Sequence, residues 1–212
     1  MSDLTQWTYK RSHSITSGTE LTDYQVKIRV YRTEGTSTGD TVYLGSKCLA
    51  DYGDIRFVAS DDTTELSYWM ETNAGSYADF WVKIPSISDT TIWIYYGNDS
   101  AATTSNGDTT FVFFDDFESG TISATKWPTG SSSYSTTTSL PYQGTYSATR
   151  SGSQVILQSG TIETLSSHVI EMSVKFAENN KYHYPIFCNQ YLLVACANGR
   201  WGYYSGSAYV YY

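Results

Sequence analysis

Residues 54–98 read DIRFVASDDTTELSYWMETNAGSYADFWVKIPSISDTTIWIYYGN, and apolar and polar residues alternate through this stretch in short runs. Turn-forming residues separate the runs at residues 61–62, 73–76 and 85–89. Alternation with a period of two between turn signals is typical of antiparallel strands that bury one face. The predicted inward-facing residues are Ile55 and Phe57, then Leu66, Tyr68 and Met70, then Phe80, Val82 and Ile84, then Ile92, Ile94 and Tyr96.

The preceding segment, residues 21–32, reads LTDYQVKIRVYR and has the same period. One face would carry Tyr24, Val26, Ile28 and Val30, and the other Gln25, Lys27 and Arg29. Residues 33–54 contain several glycines and predict loops with one short strand. We therefore expect residues 1–97 to form an antiparallel β-sandwich of about six to eight strands.

Composition supports an all-β chain. Of 212 residues, 20 are Tyr and 16% are charged, and helix-forming segments with a period of 3.6 are missing from the sequence. Tyr and Thr favour the pleated, half-buried surface of a sheet. Residues 98–108, NDSAATTSNGD, are small and polar, which predicts a linker before a second β-sandwich at residues 109–212.

The second half contains its own strand signals. Residues 169–176 alternate, residues 186–196 predict a buried hairpin, and residues 200–212 predict two strands around Ser205-Gly206-Ser207. Only about a hundred residues follow the linker, which is short for an eight-stranded jelly roll. We therefore expect a reduced or incomplete sandwich, with an unpaired edge strand at the C-terminus.

Four motifs stand in one order: Asp54-Ile-Arg-Phe, Tyr68-Trp69, Trp81-Val-Lys-Ile-Pro and Tyr95-Tyr-Gly-Asn. Because of these motifs and their order, residues 1–108 resemble domain-of-unknown-function family 2341. Proteins of that family are mostly surface-exposed or envelope-associated in bacteria and archaea, so the resemblance implies a surface module and no known reaction. The following run, FVFFDDFESG with a later Lys-Trp, makes residues 109–212 similar to a concanavalin A-like lectin or glucanase jelly roll.

The negative net charge of the chain makes some classes of binding partner less favourable. The formal net charge is −8 and the sequence pI is near 4.7, which disfavours binding to nucleic acid and to anionic membrane surfaces. No run of apolar residues is long enough to insert into a bilayer, and the N-terminus has no visible secretory signal. We expect an extracellular location, on a cell or virion surface, reached after signal removal or by release from a lysed host.

Catalytic motifs are not found. Glucanase-type jelly rolls place paired carboxylates on one strand, whereas Glu171 is followed by Met172, Ser173 and Val174. The serines are not in a Gly-x-Ser-x-Gly turn. We expect a protein without enzymatic activity, and a glycan-cleaving enzyme is the least favoured alternative.

Two groups of oxygen ligands leave calcium binding open: Asp115, Asp116 and Glu118, and Asp99, Asn106 and Asp108. Turns explain the same residues, so no cofactor is predicted. The three cysteines, Cys48, Cys188 and Cys196, do not form a closed set of pairs and indicate no disulfide framework.

The densest aromatic cluster is the predicted glycan-binding face. Its residues are Tyr182, Tyr184, Trp201, Tyr203 and Tyr204, next to His183. Aromatic rings stack on the C–H faces of sugars, and stiff Tyr side chains lose little entropy on binding. For any one of these residues, packing in the core or between the two sandwiches is the simpler explanation.

Trp69, Trp81 and Trp93 fall opposite the apolar faces of their strands, which predicts an aromatic stripe that is covered or used for contact. Together these features predict a non-catalytic, adhesin-like or tail-fibre-like module that recognises a receptor through surface glycans. The alternative is a structural subunit of a fibre, pilus or virion spike, which would bind like subunits as a homo-oligomer.

Overall fold

The computed structural model describes most of the first 150 residues and parts of the remainder. The described residues are 3–15, 22–86, 91–139, 141–150, 157, 159, 171–173, 183–188, 191–196, 200–204 and 209–211. The chain divides into two compact units, residues 1–162 and residues 163–212.

The described strands of the first unit are β1 (Tyr9–Ser14), β2 (Thr22–Tyr31), β3 (Thr41–Tyr43), β4 (Arg56–Val58), β5 (Tyr68–Asn73), β6 (Tyr77–Ser86), β7 (Thr91–Tyr96), β8 (Ser135–Thr137) and β9 (Ser147–Thr149). Its described helices are short: 3-10 turns at Leu4–Gln6 and Ser131–Ser133, and one α-helical turn, α1, at Gly107–Thr110. No helix in this description is long and apolar enough to cross a membrane.

Two sheets build the sandwich of the first unit. One has the strand order β1-β7-β4 and is antiparallel throughout. The other has the order β3-β2-β6-β5, and only its β2–β3 pair is parallel. Strands β8 and β9 form a separate two-stranded antiparallel sheet. The predicted all-β class is confirmed, and the parallel β3 is an addition to the expected antiparallel pattern.

The core lies between the two sheets, on the faces that the alternation predicts. Ile28, Val30, Phe80, Val82 and Ile84 from one sheet meet Phe57, Ile92, Ile94 and Tyr96 from the other. The rings of Phe57, Tyr68 and Phe80 contact one another edge to face, with centroids 5.3–5.7 Å apart. Edge-to-face aromatic pairs add about 1 kcal/mol each to the free energy gained from burial alone. Tyr24, predicted on the inward face, is exposed.

Residues 98–108, predicted as a linker, hydrogen-bond to β5. The Asn106 amide donates to the Tyr68 carbonyl at 2.8 Å, and the Met70 amide donates to Ser105 Oγ at 2.8 Å. The Thr104 amide donates to the Tyr68 hydroxyl at 3.1 Å, and this hydroxyl donates to the carbonyl of Ile55. The segment therefore extends the first unit beyond residue 97, and the compact unit itself runs to residue 162.

The second unit contains a four-stranded antiparallel sheet in the order β10-β11-β12-β13. Its strands are β10 (His183–Cys188), β11 (Tyr191–Cys196), β12 (Arg200–Tyr204) and β13 (Tyr209–Tyr211). The hairpins predicted within residues 186–196 and 200–212 are confirmed by the β10–β11 and β12–β13 pairs. The strand predicted at residues 169–176 lies largely outside the described residues.

The register of this sheet separates Cys188 from Cys196. Cys188 is opposite Tyr191, and Cys196 is five residues further along β11. Five strand residues span about 17 Å, whereas a disulfide requires Cα atoms within about 7 Å. These two cysteines therefore do not pair within one chain in this arrangement.

Candidate functional site

The predicted glycan-binding residues lie in the second unit. Tyr182 is outside the described residues. Tyr184 is on β10, and Trp201, Tyr203 and Tyr204 are on β12, where Trp201 is opposite Ala195 and Tyr204 is opposite Tyr209. The structure describes the backbone of these strands, so a glycan site on them stays a prediction.

The described side chains of the first unit bring charged and aromatic groups together on the solvent-facing side of the β3-β2-β6-β5 sheet. We call this side the outer face. Its residues form three cross-strand rows, set by the register. They are the tyrosine row (Tyr43, Tyr31, Tyr77), the ion-pair row (Thr41, Arg29, Asp79) and the tryptophan row (Lys27, Trp81, Trp69).

Arg29 and Asp79 form the centre of the outer face. Arg29 Nε and Nη2 donate to Asp79 Oδ1 and Oδ2 at 2.7 and 2.8 Å, a bidentate pair. These hydrogen bonds lower the pKa of Asp79 and raise the pKa of Arg29. The Asp79 side chain is 6% exposed and that of Arg29 is 39% exposed. The carboxylate is therefore fixed and covered, while the guanidinium remains accessible to a ligand.

Lys27 connects the ion-pair row to the tryptophan row. Its Nζ donates to Glu71 Oε2 at 2.6 Å and lies 3.5 Å from Asp79 Oδ2. Partial burial would lower the pKa of Lys27, but the two carboxylates outweigh this effect and the pKa is raised. A β-bulge between Met70 and Thr72 holds Glu71 at this place, where its Oε2 also accepts from Trp81 Nε1 at 3.2 Å.

The tyrosine row is packed ring against ring. Tyr31 and Tyr43 are stacked, with centroids 4.7 Å apart and ring planes 10° apart, and Tyr77 contacts Tyr31 at 5.5 Å. The Arg29 guanidinium lies over the Tyr77 ring at 4.2 Å. Gly35 packs against the Tyr43 ring so closely that a Cβ there would overlap it. These contacts hold the three half-buried rings in place.

An open depression of about 420 Å³ lies over the tyrosine and ion-pair rows. Its lining residues are Lys27, Arg29, Tyr31, Asp40, Thr41, Tyr43 and Asp79. The volume is within the range of sites that hold small molecules, although such sites are usually more apolar than this one. The depression therefore fits a polar ligand.

The predicted aromatic stripe is partly covered by the chain itself. Phe114 contacts Trp69 edge to face at 4.8 Å, and Phe111 contacts Trp69 at 5.8 Å and Trp81 at 6.1 Å. Phe111 and Phe114 follow α1 directly. The segment that we expected to open a second domain thus covers two of the three predicted tryptophans.

Trp93 is on the other sheet and has different neighbours. Lys10 Nζ lies over its ring at 4.5 Å and forms an ion pair with Asp62. Asp62 Oδ1 also accepts from the Tyr95 hydroxyl at 2.7 Å, and its pKa is lowered by the hydrogen bonds from Lys10 and Tyr95.

Trp7, near the N-terminus, is held by a hydrogen bond of its own: its indole N–H donates to the Asp54 carbonyl.

The first group of predicted calcium ligands accepts hydrogen bonds from nearby backbone amides. Asp115 accepts from the Phe117 amide at 2.9 Å and from Trp127 Nε1 at 2.6 Å. Asp116 accepts from the Glu118 amide, and Glu118 accepts from the amides of Thr145 and Tyr146 at 2.9 and 2.8 Å, which lowers its pKa. These carboxylates do not converge on one point.

The second group is also dispersed. Asn106 Oδ1 caps α1 by accepting from the Thr109 amide, and Asp108 forms an ion pair with Lys126 at 2.7 Å. In the part of the chain that the structure describes, no three His, Cys, Asp or Glu side chains are grouped as a metal site.

The sequence indicates which residues lie on the outer face, but it does not indicate how they pair. The alternation in β2 places Lys27 and Arg29 on the polar side, and the same reasoning applied to β6 would place Asp79 and Trp81 there. The pairing of Arg29 with Asp79 depends on the β2–β6 register, and the position of Tyr43 depends on the parallel β3. Neither can be read from one strand alone.

Two of the four sequence motifs are joined by a hydrogen bond in the structure. The Asp54 carboxylate, at the start of Asp-Ile-Arg-Phe, accepts from the Gly97 amide of Tyr-Tyr-Gly-Asn at 2.6 Å and from the Leu49 amide at 2.9 Å. Asp54 is fully buried. These motifs therefore join the end of β7 to the loop before β4.

Comparison with known proteins gives one match. Curated proteins and solved structures show none. Residues 51–130 match the model of the family described as "Domain of unknown function (DUF2341)". The match includes the motifs from β4 to Gly97 and continues through α1, Phe111 and Phe114, beyond the boundary at residue 108 that the sequence suggested. Over residues 51–130 the chain is therefore similar to this family, whose description assigns no function.

Proposed function

We propose that this chain is a non-catalytic recognition module that binds glycans on a cell or virion surface. The observation that supports the proposal best is the polar depression on the outer face, built on a rigid sheet from fixed tyrosines and a bidentate ion pair. Groups that are already held in place lose little conformational freedom when a ligand binds. The net charge of −8 keeps such a module soluble and away from other polyanions.

The charged groups of the depression support a binding role over a catalytic one. Its ionisable groups, Lys27, Arg29, Asp40 and Asp79, include oppositely charged partners that hold each other in the charged state. General acid–base catalysis needs a group with a pKa near the working pH, whereas Asp79 has a lowered pKa and Arg29 a raised one. The arrangement favours recognition over proton transfer.

The interpretation of residues 109–212 as a concanavalin A-like jelly roll forms part of this proposal. The antiparallel pairing of β10, β11, β12 and β13 supports the all-β part of it. Trp201 and Tyr203, two residues apart on β12, share one face of this sheet and would supply a second glycan-binding surface there, whereas Tyr204 belongs to the opposite face.

A glycan array tests the proposal directly. We expect the purified chain to be retained on a subset of glycans, and to release no reducing sugar from the glycans that it binds. The test variant is the double substitution Arg29→Met with Asp79→Leu, which removes both charges and leaves no buried charge unpaired. The matched control is Lys10→Met with Asp62→Asn, an ion pair between β1 and the loop after β4, where Asn tolerates the positive φ of 61° at residue 62.

Retention that the Arg29–Asp79 variant loses and the Lys10–Asp62 variant keeps supports the proposal. Absence of retention for the wild-type chain at concentrations up to about millimolar contradicts it, because that affinity corresponds to only about 4 kcal/mol. Release of sugar would contradict the non-catalytic part.

A structural subunit of a fibre, pilus or spike is the second candidate. Among the described strands, β10 and β13 are at the edges of their sheet, and an edge strand can pair with a strand from another chain. Sedimentation over a hundredfold range of concentration separates the two functions. Growth of the particle with concentration, without glycan retention, would favour the structural function.

A further inference from the structure

We infer that the depression on the outer face selects uncharged, polyhydroxylated saccharides and rejects acidic ones. The inference rests on the proposed function and specifies the ligand of the same site. It follows from the charge balance of the depression, from the type of polar group that lines it, and from the way the tyrosines are held.

The charges of the depression balance. Two cations, Lys27 and Arg29, face two anions, Asp40 and Asp79. The cations already have partners, since Arg29 binds Asp79 in a bidentate pair and Lys27 binds Glu71. A carboxylate or sulfate on a ligand would have to compete with these partners, next to Asp40. An uncharged ligand neither competes with these carboxylates for the cations nor is repelled by Asp40.

The lining offers donors and acceptors side by side. Arg29 is more than one-third exposed and uses two N–H groups for Asp79, while Asp40 is an exposed acceptor at the margin. The hydroxyl-bearing side chains Tyr31, Thr41 and Tyr43 line the same depression. A sugar hydroxyl donates one hydrogen bond and accepts others, so neighbouring hydroxyls on a ring match this alternation of donors and acceptors.

The tyrosines contribute through hydroxyl groups more than through ring stacking. The Tyr43 ring contacts both Gly35 and Tyr31, and Tyr31 also contacts Tyr77. Replacing Tyr31 or Tyr43 with Phe would keep these ring contacts and remove one hydroxyl. Because the Tyr31 hydroxyl also interacts with Arg29, Tyr43→Phe is the cleaner test of a direct hydrogen bond to the ligand.

The experiment measures the affinity of the chain for immobilised and free glycans of two classes. One class contains neutral oligosaccharides of hexoses and N-acetylhexosamines, and the other contains oligosaccharides that end in sialic or uronic acid. The wild-type chain is compared with Tyr31→Phe, Tyr43→Phe and the control Tyr142→Phe, whose tyrosine is 83% exposed and does not line the depression. Each titration is repeated at low and high salt.

We expect the best ligands to be neutral, with a Kd that is independent of salt. We expect Tyr31→Phe and Tyr43→Phe each to weaken binding about fivefold, the effect of one hydrogen bond, and Tyr142→Phe to leave it unchanged.

Two results would overturn the inference while leaving the proposed function in place. One is a preference for acidic glycans that weakens with salt, since screening acts on charged ligands. The other is binding of neutral glycans with the same affinity by Tyr31→Phe, Tyr43→Phe and wild type. Failure of every glycan to bind overturns the proposed function, and the inference with it.

Discussion

The buried carboxylate of Asp54 accepts a hydrogen bond from the Gly97 amide at 2.6 Å. A second hydrogen bond, from the Leu49 amide, uses its other oxygen. We expect Asp54→Ala to lower the free energy of unfolding by about 3 kcal/mol, because two amide groups lose their partner. Urea denaturation measures the loss. Asp99→Ala, at an exposed position, is the control and should change stability by less than about 0.5 kcal/mol. Equal stability of the two variants would contradict this account of Asp54.

Gly97 itself has a positive φ of 86°, and a Cβ there would lie 2.5 Å from Tyr9 Cδ2. We expect Gly97→Ala to lower stability by about 3 kcal/mol, from backbone strain together with displacement of the Tyr9 ring. Gly75→Ala is a matched control, because Gly75 has a similar φ of 80° and nothing within 4 Å of its added Cβ. The difference between the two melting curves isolates the contact with Tyr9, and a smaller loss at Gly97 than at Gly75 would argue against it.

Phe111 and Phe114 cover Trp69 on the outer face. We expect Phe114→Ala to lower the free energy of unfolding by about 2 kcal/mol, below the usual cost of a fully buried Phe, because Phe114 is half-buried. The variant should also shift tryptophan emission to longer wavelength and make it more easily quenched by acrylamide. Val112→Ala is the control, since Val112 lies between the two phenylalanines and is 69% exposed. Identical quenching in both variants would show that the segment does not cover Trp69 in solution.

Burial raises the pKa of the Cys48 thiol to about 11. Because the thiolate is the reactive form, we expect Cys48 to react with a disulfide reagent at pH 8 far more slowly in the folded chain than in denaturant. Peptide mapping separates Cys48 from Cys188 and Cys196. The raised pKa also predicts that stability is intact below about pH 9, the unfolded value, and decreases as the pH rises toward 11. Rapid labelling of Cys48 in the folded chain would contradict its burial.

The hydrogen bonds from Arg29 lower the pKa of Asp79. The folded state therefore favours the ionised carboxylate, and this stabilisation is present above the unfolded pKa near 4 and is lost as the pH falls through the lower folded value. We expect Asp79→Asn to cost about 2 kcal/mol at pH 7, between the values for exposed and buried ion pairs, and less at pH 2. Denaturation at the two pH values measures this. A cost that does not change with pH would mean that the pair contributes through packing alone.

The sequence predicted the strands well where one face is buried. Ile28, Phe80 and Ile94 lie on the inward faces that the alternation indicates, and the two C-terminal hairpins pair as expected. The period of a strand fixes which residues share a face, but it does not fix what covers the opposite face. The sequence therefore does not predict the contacts of Phe111 and Phe114 with Trp69.

The candidate site depends on relations between strands. Lys27 and Arg29 could be assigned to a polar face from β2 alone, but their partners Glu71 and Asp79 come from two other strands. Glu71 reaches Lys27 through a bulge, which the alternation of β5 does not indicate. The glycan-binding residues predicted near residue 182 are close together in the sequence, and they stay a prediction. The tyrosine row is assembled from three separate segments, so its residues are not close together in the sequence.

The central claim is that a glycan binds over the tyrosine and ion-pair rows. Backbone amide NMR spectra, recorded while the best-retained neutral glycan is added, test it most directly. The account predicts that the shifted resonances belong to residues 27–31, 40–43 and 77–81. Shifts confined to β10 and β12, or to β1 and β7, would contradict it.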